Sequence, residues 1–334
     1  MKIYADLHNH TSASDGDFTP DELVFKAREL GINTISITDH DTLKGLGNAV
    51  AAGKNYDVNV IPGVEVSIRF RRSFFTGTLH LLCYFPVELL GNIYFRNLFT
   101  KILSQGRGAE LVKLRVDEIN KIFGPAGRNP VLAEELLVED ISKYSLNATR
   151  RHFDLALQEI HNISSKSQRT KIIGNNSPAY IPSGLELDAI KTILNTFPMV
   201  SVLAHPAAGS FKGKGHYKEV LPPFDIVEKF LPDFLDAGLK GLEVYYPGHD
   251  EEYIQCLLTL ADEHNLVITG GSDCHDNKTR PFGQTGINKK DFDKFMTLLD
   301  KAKARISLIR QPGIDDDEDH GTGNDNDMSE SLCF

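Results

Sequence analysis

Apolar positions along this chain alternate between two periods, and polar clusters fall where the period changes. Thr19-Pro20-Asp21-Glu22 has an N-cap threonine, a proline suited to N1 and a glutamate at N3, which together make a capping box. Leu23, Val24, Ala27 and Leu30 then fall on one helical stripe that stops at Gly31. Ile32 to Thr38 alternates apolar and polar residues, as a strand does, and runs into Asp39-His40-Asp41. Val58–Ile61 and Val64–Ile68 flank Pro62-Gly63 and present Glu65, and Leu79–Phe85 reads as a strand with His80 at its start.

Over residues 87–195 the spacing becomes helical, as at Leu111, Leu114, Val116, Ile119 and Ile122, and later Phe153, Ala156, Leu157 and Ile160. From Val200 the strand–helix rhythm resumes. Val200–Leu203 leads to Ala204-His205-Pro206, and a helix through Val227 and Phe234 stops near Gly238. Gly241–Tyr246 leads to Pro247-Gly248-His249, and an amphipathic helix covers Glu251–His264. Leu266–Thr269 runs into Gly270-Gly271-Ser272-Asp273-Cys274-His275, and a last helix spans Lys290–Ala304. This divides the chain into an α/β barrel domain over residues 1–99 and 186–310, a mostly helical insertion over 100–185 and a tail over 311–334. The tail is too polar to pack and is expected to be disordered.

Composition adds bounds. A chain of 334 residues can bury a large core, as one α/β barrel or two domains. It has no apolar run of 18 residues, so no membrane span is expected. The N-terminus has no secretory apolar region, and Cys83, Cys256, Cys274 and Cys333 lack C-x-x-C spacing. They read as free thiols in a reducing compartment, with cytoplasm the default. A net charge of −10 argues against coating duplex nucleic acid, though residues 315–330 supply eight of the acidic groups. A small anionic substrate held by metals remains compatible, and the oligomeric state is open.

The candidate chemistry is metal binding. Residues two apart on a strand share a face, so His8 and His10 can aim two imidazoles at one point, with Asp15 five residues on. Strands alternating with helices imply a parallel sheet with its chemistry at the strands' carboxyl ends, which in a closed barrel form one rim. His40, His205 and Asp273/His275 sit at such ends. Six of the twelve histidines (His8, His10, His40, His80, His205, His275) join Asp15, Glu65 and Asp273 in a set of nine ligands. Nine exceed one ion's need and suggest two or three, with Glu65 as a bridge. Nitrogen and oxygen donors without thiolate suit manganese, iron or zinc. Cys274 should point away from its neighbours and is not counted.

At these residues the chain resembles the polymerase-and-histidinol-phosphatase (PHP) family of metal-dependent phosphoesterases. The motifs are D-L-H-N-H-T at 6–11 with Asp15, T-D-H-D at 38–41, A-H-P at 204–206 and G-S-D-C-H at 271–275. The resemblance implies a distorted seven-stranded (β/α), TIM-like barrel with a trinuclear site. By similarity, His8, His10, Glu65 and Asp273 hold one ion, Glu65, His80 and His205 a second, and Asp15, His40 and His275 a third. Asn147-Ala148-Thr149-Arg150-Arg151-His152-Phe153 and the insertion resemble the nucleoside 3′,5′-bisphosphate phosphatase branch, whose relatives include 5′→3′ exoribonucleases acting on short RNA. There the counterpart of Arg150 contacts substrate phosphate, a natural partner for a bidentate guanidinium. Two positions depart from the pattern. Arg151 stands where relatives often have proline, and Ala207-Ala208-Gly209 where they often carry a basic residue. Lys212 or Lys214 could substitute.

The reaction expected is hydrolysis of a phosphomonoester or terminal phosphodiester by metal-activated water, with Asp15, His40, Glu65 and Arg150 in the catalytic set and Mn²⁺ as the favoured ion. His249 is a candidate acid or substrate contact, set against a loop histidine with no task. Tyr245 and Tyr246 could stack a base, or pack in the core. His152, His161 and His264 read as surface or helix-cap residues. Three other readings share the residues: a histidinol-phosphate-type phosphatase, a polymerase-associated proofreading module, disfavoured because no polymerase follows, and a non-catalytic metal-binding regulatory protein.

Overall fold

The structure, a computed structural model, describes residues 2–213 and 221–309. Seven strands form one sheet in chain order: β1 (Ala5–Asp6), β2 (Thr34–Ile37), β3 (Asn59–Arg72), β4 (Phe75–Tyr84), β5 (Val200–Leu203), β6 (Gly241–Tyr245) and β7 (Val267–Gly270). The sheet curls into a nearly closed barrel. Its last and first strands are laced by Leu7 N–H donating to the Gly270 carbonyl at 3.1 Å and Asp273 N–H to the His8 carbonyl at 2.8 Å.

The wholly parallel sheet expected from the strand–helix rhythm is interrupted at one strand. β1–β2–β3 and β5–β6–β7 pair in parallel, but β4 runs antiparallel to both β3 and β5. Pro62-Gly63 does not split β3 either. The strand changes partners there, with Pro62 in register with Ile37 of β2 and Gly63 with Tyr84 of β4. The Pro62 carbonyl still accepts from Phe85 N–H at 3.1 Å, so the missing proline donor falls where one ladder hands over to the next. β3 therefore continues past the level where β2 ends, and Glu65 lies within it.

The helix over Pro20–Leu30 forms where expected, with Thr19 and Glu22 completing the capping box and Gly31 closing it at φ 67°. The helix expected through Val227 and Phe234 is two short ones, Phe224–Glu228 and Leu231–Asp236, because Pro232 lies in the first turn of the second. No helix among the described residues is long and apolar enough to cross a membrane. The tail and Lys214 lie outside the described residues.

Besides a barrel cluster that includes Leu7, Leu82, Tyr84 and Phe295, burial separates two larger cores. One joins the outer sheet face to its helices and takes in Phe95, Phe99 and Leu103 of Ile93–Gly106 with Ile190 and Ile193 of Leu187–Thr196. The other, from Val112 through Phe153 and Leu157 to Ala179, lies wholly within the inserted stretch. The two are strapped together by polar groups. Arg107 is 5 % exposed and donates through Nε to Asp41 Oδ2 at 2.6 Å and through Nη2 to Ser67 Oγ at 2.8 Å. Asp41, 1 % exposed, also accepts from Ser67 N–H at 2.7 Å. Removing one partner of such a pair strands the other as an unpaired buried charge, at a cost of about 3–5 kcal/mol. Arg107→Ala should therefore lower the urea midpoint by that amount of stability, and an unchanged midpoint would show the strap to be solvated.

Candidate metal centre and anion cleft

Every strand but β6 delivers an expected ligand at or near the rim, and at three of the strand ends the backbone is held in conformations that side chains seldom adopt. Asp41 (φ 49°), His205 (φ 32°) and Asp273 (φ 48°) all lie in the left-handed region just past β2, β5 and β7. Such strain costs of order 1–3 kcal/mol and persists only where surrounding contacts impose it. Gly271 is required by close approach, since a Cβ there would stand 2.4 Å from the His8 backbone nitrogen. His80 lies inside β4, but that strand runs backwards, so its early residues reach the rim where the parallel strands end.

Glu65 is the hub. Its Oε2 lies 3.4 Å from His8 Nε2, 3.1 Å from His10 Nε2 and 3.1 Å from His40 Nδ1, and its Oε1 lies 3.1 Å from His80 Nδ1 and 3.0 Å from His205 Nε2. Donor atoms within 4.8 Å of one another fall into three sets: His8/His10/Glu65/Asp273, His10/Asp15/His40/His275 and His40/Glu65/His80. All nine expected ligands thus converge, His205 through its contacts with Glu65 and with His80 at 3.3 Å. Cys274 is buried and belongs to none of the sets.

The donors fit divalent ions. Among the described residues, buried His10 Nδ1 makes no hydrogen bond, and buried His40 Nδ1 makes none of good geometry although Glu65 Oε2 lies 3.1 Å away, a costly state for a polar atom unless something else satisfies it. The field demands positive charge as well. Burial disfavours a protonated His8, yet the Glu243, Glu65 and Asp273 carboxylates outweigh it and lift its pKa well above the ordinary value. His10 behaves likewise and rises to about 9, with Asp273 and Glu65 overcoming burial. Burial opposes ionisation of Asp15 and Glu65 too, but neighbouring imidazoles (His275 and His40; His80, His40 and His8) hold both well below the carboxylate range. Ions bound here would displace those protons.

A surrounding layer that the sequence did not reveal aims the ligands. Glu243, wholly buried in β6, accepts from His8 Nδ1 at 2.9 Å and from the His205 backbone N–H at 2.8 Å. His8 is thereby left to present Nε2. Tyr246 Oη and Arg280 Nη1 both donate to Asp273 Oδ2, at 2.8 and 3.0 Å, which turns Oδ1 toward His10. Asp6 receives the Ser272 hydroxyl at 2.6 Å, and Asp39 receives Thr11 and Ser14 hydroxyls at 2.6 and 2.5 Å. Burial raises Asp6 and Asp39 to about 6 against these bonds.

The centre opens into a cleft of about 470 Å³, within the usual range for small-molecule sites. Five arginines line it among the described residues: Arg107, Arg115, Arg150, Arg151 and Arg280. Arg150 is hydrogen-bonded to Asn175 and lies 5.9 Å from the Tyr180 ring centre. Arg151, at the departure noted from sequence, donates to the Asp15 carbonyl at 3.0 Å and to Asp17 at 2.6 Å. Lys212 is placed elsewhere, exposed and ion-paired with Glu252, outside the cleft lining. His249 is also occupied elsewhere. Its Nδ1 donates to the Val244 carbonyl at 2.8 Å, and its Nε2 accepts from Ala207 N–H at 3.1 Å. Burial lowers its pKa to about 4, so it is neutral, with its one proton committed, and it braces the His205 loop. His152 caps its own helix by accepting from Thr149 N–H at 2.9 Å. Tyr246 is buried against Asp273, which fills the packing role.

Comparison with known proteins agrees with this geometry. The family model described as PHP domain matches residues 6–166. A Haemophilus influenzae protein named 5′-3′ exoribonuclease is 27% identical over 81% of this chain and 89% of its own length. A Chromobacterium violaceum 3′,5′-nucleoside bisphosphate phosphatase is 29% identical over 81% and 86% respectively. A solved structure from Bifidobacterium adolescentis, provisionally described as a metal-dependent phosphoesterase, superposes with a TM-score of 0.66 at 24% identity, covering 88% of this chain and 96% of that one.

Glu243 bonds two of the expected ligands, the His8 side chain and the His205 backbone, so Glu243→Gln should weaken metal affinity about 10–100-fold, the usual effect of losing such an outer partner. A competition titration with a chelating dye reads this directly, and wild-type affinity in the variant would show that Glu243 only packs.

Proposed function

We propose that this chain, a member of the PHP family, hydrolyses phosphoester bonds of nucleotides with the help of two or three divalent ions, and that its preferred substrate is a nucleoside 3′,5′-bisphosphate losing its 3′-phosphate. One observation carries the reading: three overlapping donor sets, two of them sharing Glu65, form the floor of a cleft whose walls carry five arginines. A cleft of about 470 Å³ matches one nucleotide better than a length of polymer. The name of the Haemophilus influenzae relative supports a second reading, removal of terminal nucleotides from short RNA, whose end would enter the same cleft.

His8, His10, Asp15, His40, Glu65, His80, His205, Asp273 and His275 would hold the ions, with Mn²⁺ the proposed metal for this thiolate-free donor set. Bound there, the ions would activate water and neutralise phosphoryl charge. The balance is simple: a P–O bond forms to the water oxygen, the P–O bond to ribose breaks, and the ribose oxygen leaves as a hydroxyl. Arg150 supplies charge-assisted donors to a phosphate, held at one end by Asn175 with the Tyr180 ring nearby. The insertion, residues 100–185, serves as the substrate cap. It contributes Arg107, Arg115, Arg150, Arg151 and Tyr180 to the cleft, and Asn147 ties it to the rim by donating to the His40 carbonyl at 2.6 Å. Cys83, Cys256 and Cys274 are unpaired, which supports the cytoplasm as the compartment.

Phosphate release from adenosine 3′,5′-bisphosphate and from a 5′-phosphorylated short RNA, with Mn²⁺, tests the assignment. Release from the bisphosphate should fall at least tenfold in Arg150→Ala, about 1.4 kcal/mol of transition-state stabilisation. Turnover of an aryl phosphate but of neither nucleotide would leave the hydrolysis standing and remove the substrate.

A further inference from the structure

The arginines of the cleft are not equivalent, and an account of their donors separates them. Arg107 spends Nε and both terminal nitrogens on Asp41, Ser67 and the Ala148 carbonyl. Arg115 turns Nε and Nη2 onto the Ile181 carbonyl at 2.9 and 2.7 Å. Arg151 is spent on the Asp15 carbonyl and Asp17. Arg280 makes one side-chain hydrogen bond among the described residues, from Nη1 to Asp273 Oδ2 at 3.0 Å. A guanidinium carries five N–H donors, so its Nε and Nη2 edge is left over.

Arg280 is also fixed in place. Its backbone carbonyl accepts from the His275 N–H at 3.1 Å, so the loop returns to the ligand it left. The Asp276 carboxylate ties the intervening turn by accepting from the Lys278 and Thr279 backbone N–H groups at 2.6 Å and from the Thr279 hydroxyl at 2.7 Å. The side chain is 20 % exposed and borders the cleft beside Asp15, Asp273 and His275. Arg150 reaches the same cleft from the insertion. Arg280 reaches it from the barrel, one hydrogen bond from an expected metal ligand.

We propose that Arg280 is a catalytic residue that donates from its Nε/Nη2 edge to a non-bridging oxygen of the phosphoryl group being hydrolysed, while Arg150 holds the rest of the nucleotide. This rests on the phosphoesterase reading above. The arrangement is suited to charge that develops in the transition state, because Asp273 fixes the guanidinium beforehand and no reorganisation is needed. A planar fork matches two phosphate oxygens as an ammonium does not.

The test compares wild type with Arg280→Ala and Arg280→Lys, each loaded with Mn²⁺. Three quantities are read: metal per chain by elemental analysis, affinity for inorganic phosphate by calorimetry, and kcat and KM on adenosine 3′,5′-bisphosphate. The proposal expects metal content to match wild type, phosphate affinity to fall at least tenfold in Arg280→Ala, and kcat to fall at least thirtyfold with a smaller change in KM. Arg280→Lys, which keeps a charge for Asp273 but loses the fork, should keep the metal and recover only part of the phosphate affinity. Loss of metal in proportion to activity in both variants would overturn it, making Arg280 a support for Asp273 alone. Unchanged phosphate affinity and kcat would overturn it as well. A wild-type protein that binds phosphate with its metals yet hydrolyses no phosphoester would instead sink the functional reading.

Discussion

One carboxylate, that of Glu65, holds five imidazole nitrogens from four separate elements within 3.0–3.4 Å of its two oxygens. A carboxylate offers about four lone-pair sites, so hydrogen bonding alone cannot satisfy this gathering. The rest of the structure follows from having to place Glu65 there. β3 must run on past the end of β2 so that a mid-strand residue reaches the rim, and β4 must turn back along it to bring His80 to the same height. The backbone is left-handed at His205 and Asp273, two of the expected ligands, and at Asp41, which follows a third. Packing energy across the sheet pays for that strain.

Coupling to the insertion runs through the same motifs. Asp41, next to the ligand His40, takes the Arg107 guanidinium; the His40 carbonyl takes Asn147; and the Asp15 carbonyl takes Arg151. Each strap leaves the ligand side chain itself untouched and uses a neighbour or the backbone. The cationic wall of the cleft is therefore positioned by the residues that position the anionic floor. Opposite charges thus line one cleft of about 470 Å³.

Much of this was legible in the chain. Period-two apolar runs ending in His and Asp marked the rim, and eight of the nine expected ligands fall into close donor sets, with His205 joined through Glu65. The Thr19–Glu22 box and Gly31 fixed a helix because capping is local chemistry. What was not legible depends on partners distant in sequence. Pro62-Gly63 looks like a break, and only its position between two ladders lets the strand continue. Glu243 sits in a run of apolar residues, and its contacts to His8 and His205 span 235 and 38 positions. Arg280 stood five residues beyond the fourth motif with nothing local to mark it, and His249 looked available because its backbone partners cannot be read from spacing.

In the proposed centre Glu65 is shared between ions. Elemental analysis of protein purified without chelators and loaded with Mn²⁺, for wild type and Glu65→Gln, tests it most directly. Two or three ions per chain in wild type, with a loss of at least one in the variant while far-UV circular dichroism stays unchanged, is the predicted result. Well under one ion per chain in wild type, or an undiminished count in Glu65→Gln, would contradict it.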